Sequence, residues 1–350
     1  MAEPELLTVG RRMGRVLGLA VVAAALCVML YHQVRWLVPL HHHNVVTFRA
    51  YDQGFEMDSF ESSLGRMDLG ATWGPRVLSN VAGSLATREC CAGRELSLPN
   101  LGQMLHGEDF PHDAGLYGVF WLALIFGLYL LAFGGEALIP ILGTYCGVAF
   151  GYMPGIADRI YPWDMPSLFF FSAFLVCLVR GRLLVFLPLL PVAVLFKETA
   201  IVLALAYAFV PGSLRRRAMF TAVALGLCVA ARWVGVEISG SEVSTPDLLP
   251  RLAANLRFVF GFELPSEDWY HPAVMVPHPL LIDAGLLVAF VLHPPRGPHR
   301  AALWTVVGAF TAAAFASGVV FEYRIWFELI PILLYPWYAD RLAPRVASSS

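Results

Sequence analysis

Lysine is almost missing from this sequence. Position 197 holds the single lysine, and the other 23 of the 24 basic residues are arginines. Charge of either sign is scarce: Asp, Glu, Lys and Arg make up 14% of the chain, where a soluble domain carries about a quarter. There is no basic stripe and no nucleic-acid-binding signature, which excludes a nucleic-acid partner. No CxxC pair occurs, so zinc-ribbon and dithiol redox sites are excluded. A phosphate-cradling glycine loop, a dinucleotide fingerprint and a Ser/His/Asp order are absent too. Any activity is therefore expected to use a lipid-borne substrate in place of a soluble nucleotide.

What fills the chain is apolar. Of 350 residues, 58% are hydrophobic, and the mean hydropathy is +0.64. This composition predicts an all-α, polytopic membrane protein. The net charge of -2 says little, because in such proteins the side on which charges lie matters more than their sum. Arginine in place of lysine, beside much alanine and glycine, fits the usage of a GC-rich bacterial genome. Cys27, Cys146, Cys177 and Cys228 lie in apolar runs and read as small core residues. Cys90 and Cys91 are adjacent in a polar stretch; a mutual disulfide and two free thiols both stay open.

Arg11, Arg12 and Arg15 precede the apolar run Val16–Tyr31. The run continues to about Leu40 with no small-residue cleavage site after it, so an uncleaved signal anchor is preferred to a signal peptide. The arginines place the N-terminus, 1–15, in the cytoplasm. Residues 41–114 form a long polar outer loop. Spans are expected at Leu116–Phe133, Ala137–Met153 and Ser167–Val179, the last ending at Arg180-Gly181-Arg182. Later spans are Ala218–Val236, Pro279–Leu292, Ala301–Val320 and Ile325–Tyr338, with a second outer loop over 237–278. Within that loop Leu249–Phe262 has the pattern of an amphipathic helix lying at the interface.

The stretch Leu183–Val210 decides the topology. As one helix it would be about 42 Å long against a hydrocarbon core of roughly 30 Å. It would also put Arg180 and Arg182 on the opposite side from Arg215, Arg216 and Arg217. Two short spans with a turn at Lys197-Glu198 keep all five arginines together. Pro188 and Pro191 are expected to kink the first. The tally is about ten membrane helices in 16–340, both termini cytoplasmic, and a cytoplasmic tail over 341–350. Twelve arginines then lie in cytoplasmic segments, while 22 of the 26 acidic residues lie in outer loops or spans. No internal repeat is visible, so the inverted-repeat signature of many transporters is missing.

Several polar residues stand out against this background. Lys197 and Glu198 sit between apolar runs, where an ionisable pair needs partners or water; they either line a polar site or cap two short helices at a wet surface. Asp52, Glu56 and Asp58 crowd the first outer loop. A carboxylate there could act as general base on a hydroxyl, or be plain solvated charge. Arg76 could clamp a phosphate through its fork geometry, or snorkel at the interface. Asp164, followed by Pro166, has an N-cap pattern. Asp283 and Glu328 fall in apolar spans and need partners; Lys197 and Arg324 are the candidates, and Arg324 and Glu328 are also spaced i, i+4. His41-His42-His43 are consecutive, share no helical face and have no accompanying carboxylate pattern, so no metal site is expected.

The first anchor, the aspartate-bearing outer loop, Trp163-Asp164-Met165-Pro166 at an outer helix start, Lys197-Glu198-Thr199-Ala200 between short spans and the late Tyr323-Arg324 together resemble GT-C type membrane glycosyltransferases. The resemblance spans most of the chain, and none of its motifs is specific alone. It implies a GT-C-like helical bundle in a bacterial inner membrane that moves a sugar from a polyprenyl-phosphate donor to an acceptor on the outer face. It implies Asp58 or Asp52 as catalytic base. Arg76, Lys197 and Arg324 would meet the lipid phosphate, Glu198 would orient Lys197, and Asp164 would join the binding site. No cofactor or divalent metal is implied; the partners are membrane lipids, the lipid-linked sugar and an acceptor. The chain departs from better-known members in lacking a paired acidic dipeptide in the first loop and a large C-terminal soluble domain. The alternatives are a transporter or flippase using Lys197, Glu198 and Asp283, and a non-catalytic assembly factor.

Overall fold

The computed structural model describes residues 3–37, 110–151, 164–239, 249, 252–253, 255–257, 278–317 and 326–342. Most of the two long loops lies outside these, as do the adjacent cysteines and the three consecutive histidines. The described residues are helical throughout apart from short turns, with no strand among them. Three helices are long and apolar enough to cross a membrane: Arg12–Val34, Gly115–Glu136 and Leu214–Gly235. That bears out the all-α reading and its membrane character.

The first helix, α1 (Glu3–Leu37), packs along α2 (Phe110–Phe133). Gly115 lies against Tyr31, and Gly135, just past α2, lies against the stem of Arg15. The two helices are therefore antiparallel, and Arg15 marks the end at which α2 stops. A 3-10 turn, Gly134–Glu136, leads into α3 (Leu138–Gly151). Gly143 and Gly147 of α3 meet Leu334 and Ile330 of the last helix so closely that a Cβ at either would collide. One turn apart on one face, the two glycines let the backbones approach.

Helix α4 (Asp164–Val179) is the centre of the bundle, with 13 of its residues buried. It is apolar on every side because it has protein on every side. Midway down, Tyr129 Oη stands 2.9 Å from Ser172 Oγ and 3.3 Å from Thr144 Oγ1. Ser172 in turn donates to Leu168 O at 2.8 Å. These three hydroxyls thus satisfy one another across α2, α3 and α4. Gly181, at φ +64, ends α4. Its N–H donates to Leu178 O at 3.0 Å, and that of Arg182 to Cys177 O at 2.7 Å, the paired bonds of a Schellman cap.

The decisive stretch Leu183–Val210 doubles back on itself. Its first limb is α5 (Leu183–Phe186) and α6 (Leu189–Phe196), broken at Pro188. Pro191 falls in the first turn of α6, where a missing N–H costs nothing, so only Pro188 interrupts the helix. At Lys197 the backbone is extended, with φ -157 and ψ 127. The second limb, Glu198–Phe209, is a 12-residue 3-10 helix. Tyr207 Oη, near the end of the second limb, donates to Leu183 O, at the start of the first, at 2.9 Å. The two limbs are therefore antiparallel and Lys197 is their apex. The first rises about 21 Å and the second about 24 Å, both less than the roughly 30 Å of a hydrocarbon core.

The chain continues through α7 (Leu214–Ser239), α8 (His278–Leu292), α9 (Arg300–Ser317), a 3-10 turn Phe327–Leu329 and α10 (Ile330–Leu342). Phe290 and Trp304 meet with ring centroids 4.9 Å apart, joining the end of α8 to the start of α9. The described positions of the expected amphipathic segment are helical, with Leu249 and Leu256 exposed. Asn255 Nδ2 ties it to Phe315 O at 2.8 Å. Cys27 and Cys228 are buried as expected, but Cys146 is exposed on the outer flank of α3; an apolar run does not say which of its residues face protein.

Candidate functional site

Lys197 gathers the charged groups of the core. Its N–H closes α6 on Ala193 O at 2.9 Å, and its carbonyl accepts from Ala200 N at 3.1 Å. The extended residue thus joins two differently wound limbs and projects its side chain into the bundle. Nζ lies 3.3 Å from Asp164 Oδ1 and pairs with Glu328 Oε1. Thr199 Oγ1 donates to the other oxygen of Glu328. The three charged residues come from the first turn of α4, the hairpin apex and the 3-10 turn before α10. Lys197 is 5% exposed, Asp164 1% and Glu328 0%, so water does little to screen them.

The surroundings are aromatic. Phe196, beside the lysine, packs on Trp121 and Phe170 with centroid distances of 5.7 Å and 5.5 Å. Trp121 also meets Phe169 at 5.6 Å. Trp121 lies midway along α2. Helix α4 runs beside α2 in the same direction, Phe169 meeting Trp121 and Ser172 meeting Tyr129. Asp164, at the start of α4, therefore lies on the side toward which α2 begins and the first long loop leaves. An ammonium in such a place is tolerable only when paired and hydrogen-bonded. Here it has two carboxylates, giving a formal charge of −1 when all three are ionised. Both acids lie at helix starts, where the positive end of the helix dipole offsets the excess. Arginine's broad fork would not fit between two carboxylates as compactly as a single ammonium point charge, which accounts for the one lysine in an arginine-using chain.

Of the sequence candidates, Asp164 and Lys197 are brought together. Glu198 is half-buried in the first turn of the second limb. Glu328 joins Lys197, as the pairing argument expected. Asp164, expected to precede the helix as its cap, lies in the first turn of α4, and its carboxylate reaches across to Lys197. Asp283 lies on α8. Asp52, Asp58, Arg76 and Arg324 lie outside the described residues. Thr199 was not singled out from sequence, although its place next to Lys197-Glu198 was the available signal. Ser167, one turn into α4, is also buried, and its hydroxyl has no hydrogen-bond partner among the described residues. Among these residues no His, Cys, Asp and Glu side chains form a group able to hold a metal ion. Comparison of the chain with protein-family models, with curated proteins and with solved structures finds no match.

Proposed function

We propose that the protein is an integral membrane glycosyltransferase of the GT-C kind, with ten membrane passes and both termini cytoplasmic in a bacterial inner membrane. It takes a sugar from a polyprenyl-phosphate donor and passes it to an acceptor hydroxyl on the outer face. The observation that carries the reading is the buried Lys197–Asp164–Glu328 cluster toward the loop-bearing end of the bundle. Asp58 or Asp52 takes the acceptor proton as the hydroxyl oxygen attacks the anomeric carbon. The bond from that carbon to the phosphate oxygen breaks, its electron pair leaves with polyprenyl phosphate, and the configuration inverts. Charge growing on the departing phosphate meets Arg76, Arg324 and Lys197. Two carboxylates already offset Lys197, so the arginines carry the larger share, while Asp164 and Glu328 hold the ammonium in place. Glu198 and Asp164 border the donor site.

Purified protein given a radiolabelled polyprenyl-phosphate sugar and a membrane-extract acceptor should release polyprenyl phosphate. Asp58→Asn or Asp52→Asn should lower turnover about 100- to 10,000-fold while donor binding persists. Parent-like turnover in both variants would remove the first loop from the chemistry.

One feature favours a second reading. Two buried carboxylates facing one ammonium form a group suited to taking up a proton, as in proton-coupled transporters and flippases. Proteoliposomes separate the two: transport needs an ion gradient, whereas transfer releases polyprenyl phosphate without one.

A further inference from the structure

The opposite end of the hairpin is cationic, with no counter-charge among the described residues. Tyr207 Oη on Leu183 O pins the two feet together, so Arg180 and Arg182 come to the same end as Arg215, Arg216 and Arg217. The Schellman cap at Gly181 fixes the first pair. Ser213 Oγ, accepting from Arg216 N at 3.3 Å, fixes the other three in the first turn of α7. Four of the five are exposed, and Arg217 is half-buried. Among the described residues no carboxylate stands within ion-pair distance of any of them.

This is an unfavourable arrangement without an anion. Three arginines crowd a helix start, where the dipole is already positive and the first N–H groups lack helical partners. The immediate neighbours are apolar and exposed: Leu214 at 82% and Val185 at 61%. Arg216 lies over the Phe220 ring, 5.6 Å from its centroid, so one guanidinium follows the apolar flank of α7 while its neighbours reach outward. A soluble anion would satisfy the charge and leave those aliphatic side chains in water. A lipid satisfies both: phosphate for the guanidinium forks and acyl chains for the leucine and valine.

We propose that Arg180, Arg182 and Arg215–Arg217 form a binding site for the phosphate of an anionic lipid headgroup, in the leaflet that the hairpin feet face. The site is separate from the Lys197 cluster and does not depend on the transferase reading. It makes the hairpin's seating in the membrane sensitive to lipid charge.

The test uses the full-length protein reconstituted in phosphatidylcholine mixed with phosphatidylglycerol, then extracted mildly and analysed for retained lipid. The parent should retain phosphatidylglycerol above its share of the bilayer. Each cation near a membrane surface contributes about fivefold in affinity, so R215Q/R216Q/R217Q should lose roughly tenfold or more of the enrichment. High salt should lower it in the unaltered parent, a check that needs no folded variant, and R180Q/R182Q should lower it from the other foot. Inorganic phosphate should lower the enrichment no more than chloride at equal ionic strength. Enrichment equal in parent, variants and high salt overturns the site; displacement by inorganic phosphate beyond that of chloride overturns its assignment to a headgroup.

Discussion

The two ends of the hairpin 183–210 hold positive charge under opposite conditions. At the apex a single lysine, 5% exposed, sits between two buried acids. At the feet, five arginines stand with no acid within ion-pair distance among the described residues, and four are exposed. Solvent makes the difference. In low dielectric an ammonium must find its counter-charge inside the protein, so the apex lysine is held between two acids. At the feet, four of the five arginines are exposed, so counter-charge can reach them from outside the protein. The contrast teaches that cation number says little about a site's importance to folding; the surrounding dielectric decides.

The sharpest way to break this comparison is Lys197→Met. It takes the ammonium away from buried Asp164 and Glu328 and should cost about 3–5 kcal/mol, read as loss of detergent-solubilised protein in a thermal unfolding assay. Parent-like stability would show that the apex is not matched at all. Neutralising the whole cluster, K197M/D164N/E328Q, should then recover most of that loss while leaving the transfer assay silent. Thr199→Val removes a hydrogen bond to a charged acceptor and should cost about 1.5–3 kcal/mol. Tyr207→Phe removes a neutral bond at the feet, about 1 kcal/mol; it should also let the two feet label differently with membrane-impermeant reagents once cysteines are placed there. Arg216→Gln, at the unmatched end, should shift stability in detergent by no more than about 0.5 kcal/mol. A larger loss there than at Thr199 would invert the comparison.

Much of this was legible in the sequence. The length of 183–210 and the arginines on either side required a turn, and the unusual lysine marked where. Glu328 announced its need for a partner by standing in an apolar run. Other features were not legible for identifiable reasons. Asp164 already had a local explanation as a cap; the resemblance put it in one binding site with Lys197, but no spacing pattern pairs it with a lysine 33 residues on. Helices α4 and α7 are both long apolar runs, yet α4 is buried by protein while α7 exposes Met219, Val229 and Trp233. Hydropathy cannot separate a core helix from one facing lipid, because both solvents reward the same residues. The 3-10 winding of the second limb was invisible, since 3-10 and α segments draw on the same apolar residues. The first-loop acids and Arg76, on which the chemistry of transfer rests, lie outside the described residues.

That winding makes the second limb a reservoir of length. A 3-10 helix advances about 2.0 Å per residue and an α-helix about 1.5 Å. Over Glu198–Phe209 the choice between them amounts to about 6 Å. Long 3-10 runs are uncommon because their hydrogen bonds are poorer, and this one is held at both ends. Tyr207 anchors it to Leu183 at one end, and the Lys197 pairings anchor it at the other. Wound as an α-helix, the same 12 residues would hold Lys197 about 6 Å nearer the feet, so the winding sets the height at which the ammonium meets its two acids.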